Sequence, residues 1–196
     1  MPRGVHAGRR RSTTLLRSLG LLALGTGWLG LAAVRGGYLR QPPGAAERAA
    51  RARRERLQAA QVLVLDGDTY LVRGRVVRLL GADCPEKSAA WFQGDQEPYA
   101  TQAQRFARRA VDRAARVELL ERGEEDARGR LLAHLLLDDE PLAALLVEAG
   151  LAWPTVERFG EGGFPAQAVE VLRRARPAPF EEPARWRRTH RRAEGD

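Results

Sequence analysis

The chain has 196 residues and a mass of 21.7 kDa, the length of one domain with room for appendages. Its 33 Lys+Arg against 25 Asp+Glu give +8 at pH 7, and a hydrophobic fraction of 44% excludes wholesale disorder. The single cysteine, Cys84, excludes a disulfide framework and a Cys-rich zinc module, and His6, His134 and His190 lie too far apart in sequence to suggest a His-rich metal site.

The basic charge sits at the ends. Residues 1–60 carry a net +10 and residues 184–196 a net +3, which leaves 61–183 at −5. Attraction for nucleic acid or an anionic membrane therefore belongs to the flanks, and the middle must bind any anion through specific residues.

In chain order, the basic region 1–17 leads into an uncharged apolar run over 18–34, with Arg9, Arg10 and Arg11 before it and Arg35 and Arg40 after it. Seventeen residues at a ~1.5 Å rise span about 25 Å, close to a bilayer's hydrocarbon core. The run reads as a signal or membrane anchor, with a cleaved export signal as the alternative, and the chain is expected to be membrane-anchored or exported. The acid-free, Arg-rich start is also compatible with mitochondrial targeting. Residues 35–60 hold the breaker cluster Gln41-Pro42-Pro43-Gly44 and then an Arg/Ala-rich stretch, expected as a linker or basic helix.

A compact domain is expected over 61–183. Gln61–Leu65, Thr69–Val72 and Arg75–Leu80 have strand character, separated by turn signals at Asp66-Gly67-Asp68 and Arg73-Gly74. Residues 87–97 read as a polar and aromatic loop. From Pro98 the pattern turns helical, with Tyr99, Ala103, Phe106, Ala107, Ala110, Val111 and Ala114 on one face. Arg116–Leu120 and Leu131–Leu137 return to strand, and Pro141–Ala149 and residues 165–175 are expected helices. Five short strands with helical additions suit a mainly β α+β domain built as a small closed barrel, such as a five-stranded OB-fold barrel with three α-helices. Residues 184–196 are expected as a basic tail.

Four local features bear on chemistry. Asp66-Gly67-Asp68-Thr69 is an ordinary hairpin signal, or it sets a carboxylate at a strand start facing a site. Arg78–Glu86 runs a strand into a turn bearing Asp83 and Glu86. Asp68 and Asp83 could share a hard divalent cation, Glu86 could orient or deprotonate water, and Arg78 offers a planar fork to phosphate. The alternative is a surface turn with a structural Arg–carboxylate pair. Asp126-Ala127-Arg128-Gly129-Arg130 places Arg130 at a strand start, as a solvated charge or a ligand. Cys84 has no neighbouring His to activate it and reads as a structural thiol.

Together these segments resemble the staphylococcal nuclease (thermonuclease) family. Its pattern is Asp-Gly-Asp-Thr, then Arg followed by three or four aliphatic or small residues and Asp-x-Pro-Glu, then Asp-x-x-Gly-Arg, then Leu-Val-x-x-Gly-Leu-Ala. Here the matching segments are Asp66–Thr69, Arg78–Glu86, Asp126–Arg130 and Leu146–Ala152, in that order. The resemblance implies a Ca2+-dependent endonuclease hydrolysing phosphodiester bonds of single- or double-stranded DNA and RNA and leaving 3′-phosphates. It implies that Asp68, Asp83 and the backbone carbonyl of Cys84 are metal ligands, with Asp66 in support. Glu86 corresponds to the general base or water-positioning group, and Arg78 and Arg130 to the clamp on the scissile phosphate. Arg128, Trp153 and Phe159 are candidate nucleotide contacts, and the protein is expected to be a monomer. The competing readings are a non-catalytic binding module and a membrane-surface protein whose basic ends are its main business; the complete set of catalytic residue types favours the enzyme.

Overall fold

Residues 52–192 are described here, from a computed structural model; the regions 1–17 and 18–34 and most of the linker lie outside them. Among the described residues no helix is long and apolar enough to cross a membrane. The elements are β1 (Arg53–Leu57), a 3-10 turn (Ala59–Gln61), β2 (Val62–Asp66), β3 (Thr69–Val72), β4 (Arg75–Leu79), β5 (Ala82–Asp83), α1 (Tyr99–Arg113), β6 (Val117–Glu125), β7 (Leu131–Leu137), β8 (Glu140–Pro141), α2 (Leu142–Glu148), β9 (Trp153–Pro154), α3 (Val156–Phe159), α4 (Pro165–Arg174) and α5 (Pro183–Thr189).

Seven strands form one sheet in the order β1-β6-β7-β4-β3-β2, with β8 beside β7, while β5 and β9 make a small second ladder. The β4–β7 pair is parallel and the other pairs are antiparallel. β1 and β2 stand at opposite ends of this order, yet only the short segment 58–61 separates them in sequence. A chain advances at most ~3.6 Å per residue, so the two sheet edges are held within about 18 Å and the sheet must curl strongly. No hydrogen-bonded ladder joins those edges among the described residues. The expectation of a closed five-stranded barrel with three helices is thus corrected to a curled seven-stranded sheet with five α-helices. The cause is local: the 3-10 turn divides the edge segment, so that β1 pairs with β6 and β2 with β3.

The five expected strands appear as β2, β3, β4, β6 and β7, and the three expected helices as α1, α2 and α4. The concave side of the sheet is filled by Val62, Val64, Tyr70, Val77, Leu79 and Leu135. Against them pack Ala103, Ala107 and Val111 of α1 and Leu142, Leu146 and Val147 of α2. Small alanines on α1 allow that helix to lie close to β2.

Two segments depart from their expected character. Residues 53–57, expected in the linker, are strand because β6 offers carboxylates to their arginines: Arg53 bonds Glu121 at 2.9 Å and Arg54 bonds Glu118 at 2.5 Å. Residues 183–189, expected mostly as tail, form α5, which is anchored by Trp186. That indole is 5% exposed, edge-on to Phe92 at 5.2 Å and stacked on His190 at 4.4 Å.

Candidate active site

The Asp66–Thr69 turn joins β2 to β3, and its shape depends on Gly67. A Cβ there would lie 2.6 Å from Cys84 Sγ and 2.9 Å from Ala103 Cβ, so only glycine fits. The Tyr70 hydroxyl donates to the Gly67 carbonyl and fixes the turn from below. The turn delivers Asp68 into the fold with 3% exposure, where Oδ2 accepts from the Cys84 N–H at 2.6 Å and Oδ1 from the Thr69 hydroxyl at 3.1 Å. Asp66 remains half-buried, accepting from the Gly67 N–H at 2.8 Å. Burial, and then the neighbouring Asp68 charge, push its pKa up to about 6.

β4 supplies Arg78, and β5 supplies Asp83, itself 4% exposed. The Arg78 guanidinium bridges the two acids, bonding Asp68 through Nη1 and Asp83 Oδ1 through Nη2 at 2.5 Å. Burial works against the Arg78 charge, but Asp68 and Asp83 outweigh it and hold the pKa above the usual value. Two carboxylates are thus brought together out of water on one cation, an arrangement that is stable only while a positive group lies between them.

The loop after Pro85 is held by Gln96, whose side-chain oxygen accepts from the Glu86 N–H at 3.1 Å and whose Nε2 donates to the Glu181 carbonyl at 2.7 Å. This ties the Glu86 backbone to the segment entering α5. Burial raises the pKa of the Glu86 carboxyl, although Arg187 partly opposes the shift. Arg187 on α5 bonds Asp83 at 3.1 and 2.8 Å, and the same guanidinium reaches Glu86. Sequence reasoning missed Arg187, because those partners lie more than a hundred residues away in the chain.

Beside β4, Asp126 caps the turn before β7. Its Oδ1 accepts from the Arg128 and Arg130 N–H groups at 2.9 and 3.0 Å, and its Oδ2 from Arg130 Nε at 2.7 Å. Burial acts to raise the pKa of Asp126, but Arg130 outweighs it and keeps the acid below its usual range.

Asp66, Asp68, Arg78, Cys84, Glu86, Arg128, Arg130 and Arg187 all line one cleft of about 600 Å³. Trp91, 59% exposed, lines it too; the aromatic content of the 87–97 loop was the signal for it. Cys84 packs its buried thiol behind Gly67, and burial raises its pKa well above the usual value, so the group stays protonated and is no nucleophile. The structure does not bring Trp153 or Phe159 into the cleft. Trp153 donates from Nε1 to the Phe180 carbonyl at 3.2 Å, opposite Asp83 in the β5–β9 ladder. Phe159 is 71% exposed and borders a separate, mostly apolar hollow of about 420 Å³ that also reaches Arg78 and Asp126.

The acidic groups that could hold a cation are the two carboxylates of Asp68 and Asp83. Among the described residues no group of three or more His, Cys, Asp or Glu side chains is placed to hold a metal ion. Carboxylate oxygens are the donors a hard cation prefers, and here they are engaged by arginine: Asp68 by Arg78, and Asp83 by Arg78 and Arg187.

No curated protein matches the chain. Residues 76–171 match the family model described as staphylococcal nuclease homologue. That stretch contains Arg78, Asp83, Glu86, Asp126 and Arg130, whereas Asp66, Asp68 and Arg187 lie outside it and join the cleft through the fold alone. The domain spanning residues 76–171 belongs to the staphylococcal nuclease homologue family.

Proposed function

We propose that the chain is a Ca2+-dependent endonuclease that hydrolyses phosphodiester bonds of DNA and RNA and leaves 3′-phosphate ends. One observation carries this reading: Asp68, Arg78, Glu86 and Arg130, from four separate segments, converge on one cleft. Family membership supports nuclease-type activity on nucleic acid. The strand order β2-β3-β4-β7-β6, with its parallel β4–β7 pair, supports an OB-type topology for the domain.

Asp68, Asp83 and the Cys84 carbonyl would hold the calcium ion, whose charge, when bound, stabilises the negative charge that develops on phosphate oxygen. Arg78 on β4 and Arg130 just before the neighbouring strand β7 both present guanidinium forks to the cleft and orient the scissile phosphate for in-line attack. Glu86 accepts the proton of the attacking water, or positions that water. Its raised pKa suits a base. Trp91 offers an exposed aromatic face for a base beside the cleft. The leaving 5′-oxygen departs on the side opposite the water. The run 18–34 is read as a signal or anchor that places a monomeric domain outside the cytoplasm.

The test is cleavage of single-stranded DNA with calcium, with excess chelator, and by Glu86→Gln. Chelation should abolish activity, and Glu86→Gln should lower kcat by about 10²–10⁴. Full activity in chelator, or a loss below tenfold in Glu86→Gln, overturns the assignment.

A further inference from the structure

Arg187 borders two hollows. One is the cleft, and the other is a groove of about 380 Å³ lined by Arg158, Ala184, Arg187, Arg188 and Arg191. Four arginines from α3, α5 and the residues after α5 therefore line this groove, which shares Arg187 with the cleft. Arg158, Arg188 and Arg191 are exposed. Arg158 has a loose contact with Glu182 at 3.7 Å, and Arg188 and Arg191 have no carboxylate partner among the described residues. Like charges so close repel unless an anion joins them. α5, which carries Arg187 and Arg188, is anchored by buried Trp186 and Pro183, so the fold keeps these charges beside one another.

We infer that this groove binds the sugar-phosphate backbone of a nucleic acid strand, at phosphates flanking the one in the cleft. The inference rests on the nuclease reading of the cleft and adds the path of the strand: out of the cleft past Arg187 and over α5 between Arg188, Arg191 and Arg158. The chemistry is phosphate-specific in form, because guanidinium forks grip phosphate oxygens in pairs and, beside the small Ala184, no aromatic side chain lines this groove to stack on a base.

The experiment measures binding of a long single-stranded oligothymidylate, with calcium, across a salt series. The full chain carries Glu86→Gln to prevent cleavage, with and without Arg188→Gln and Arg191→Gln. Two lost phosphate contacts should make the plot of log affinity against log salt less steep by about 1.4, at ~0.7 for each contact on a single strand. Arg158→Gln alone, on a different helix, should remove about half of that, and the Arg→Lys pair should keep most of the slope. In the otherwise native chain, Arg188→Gln/Arg191→Gln should leave kcat on a dinucleotide unchanged and raise KM only on long strands. An unchanged slope in both the pair and Arg158→Gln overturns the groove. Equal displacement by polyglutamate at matched charge overturns its commitment to phosphate. If the native chain cuts no nucleic acid, the reading of the cleft fails; if it cuts but the slopes coincide, only the groove fails.

Discussion

Arg187 uses the oxygens that a cation would need. Both Asp83 oxygens accept from it, at 3.1 and 2.8 Å, and the same guanidinium engages Glu86. Burial opposes its charge, but Asp83 and Glu86 outweigh that cost and hold its pKa above normal, so it is charged at every working pH. A calcium ion arriving at Asp83 must therefore compete with a resident cation. Hydrogen bonds to charged groups contribute roughly 1.5–3 kcal/mol each, so even partial loss on cation binding is a measurable penalty. Arg187→Gln is predicted to tighten calcium binding about tenfold, equivalent to ~1.4 kcal/mol, as read by calorimetric titration without nucleic acid. Weaker or unchanged binding would show instead that Arg187 shapes the acid pair for the ion. His134 poses a different residue-scale problem. It is 2% exposed, edge-on to Phe164, and its Nδ1 has no hydrogen-bond partner among the described residues. Burial lowers its pKa from 6.5 to about 4. The unfolded chain therefore takes up a proton near pH 6.5 while the folded chain resists until about 4. Stability should fall as pH drops through that window, by about 3 kcal/mol in total, and level off below it. His134→Leu should flatten this part of a urea-denaturation pH series; an identical slope in the variant would assign the acid sensitivity to other groups.

At the scale of elements, the two surprises come from opposite ends of the described chain and share a cause. β1 is Arg-Arg-Glu-Arg-Leu, with only Leu57 buried, so no period-2 apolar pattern announces a strand. It exists because β6 places Glu118 and Glu121 across from it. α5 has seven residues, too few for a periodic signal, and three of them are Arg. By contrast β2, β3, β4, β6 and β7 and the helices α1, α2 and α4 were legible because each carries its own apolar face or turn punctuation. The same division holds in the site. Asp68, Arg78, Glu86 and Arg130 of the candidate cleft stand in ordered local motifs, as does Asp83 bonded to Arg78, whereas Arg187 and Trp91 depend on which segments the fold brings together. α5 also bears on stability. Trp186 is buried against Phe92, so Trp186→Ala should cost about 3–5 kcal/mol in chemical denaturation. The same variant should lose cleavage activity at a temperature where the native chain keeps it, because the segment entering that helix holds the Glu86 loop through Gln96. A cost below 1 kcal/mol would mean α5 is a loosely laid end, and removal of residues 184–196 would then be tolerated as well.

For the whole molecule, the charge distribution looks different once the fold is known. Residues 1–51 carry a net +8, and residues 52–192 a net of only +2, with five arginines of that body clustered from Arg185 to Arg192. Long-range attraction for a polyanion therefore has two sources, the groove beside α5 and the segment before Ala52. The natural place to separate them is after Arg51 rather than at residue 60, since β1 begins at Arg53 and bonds β6 along its length. Every residue lining the cleft lies between Leu65 and Arg187, so a chain starting at Ala52 keeps its chemistry. It should cut short oligonucleotides with an unchanged kcat. On long DNA it should bind more weakly, and its affinity should fall less steeply with salt, because each arginine no longer placed on a phosphate releases one fewer counterion. The measurement is a salt titration of binding to one long duplex by the full chain and by the chain from Ala52, both carrying Glu86→Gln. If the two slopes coincide, the nine arginines before Ala52 do not touch nucleic acid. Their place on both sides of the apolar run 18–34 then fits contact with anionic lipid headgroups, and vesicles with and without anionic lipid become the next comparison.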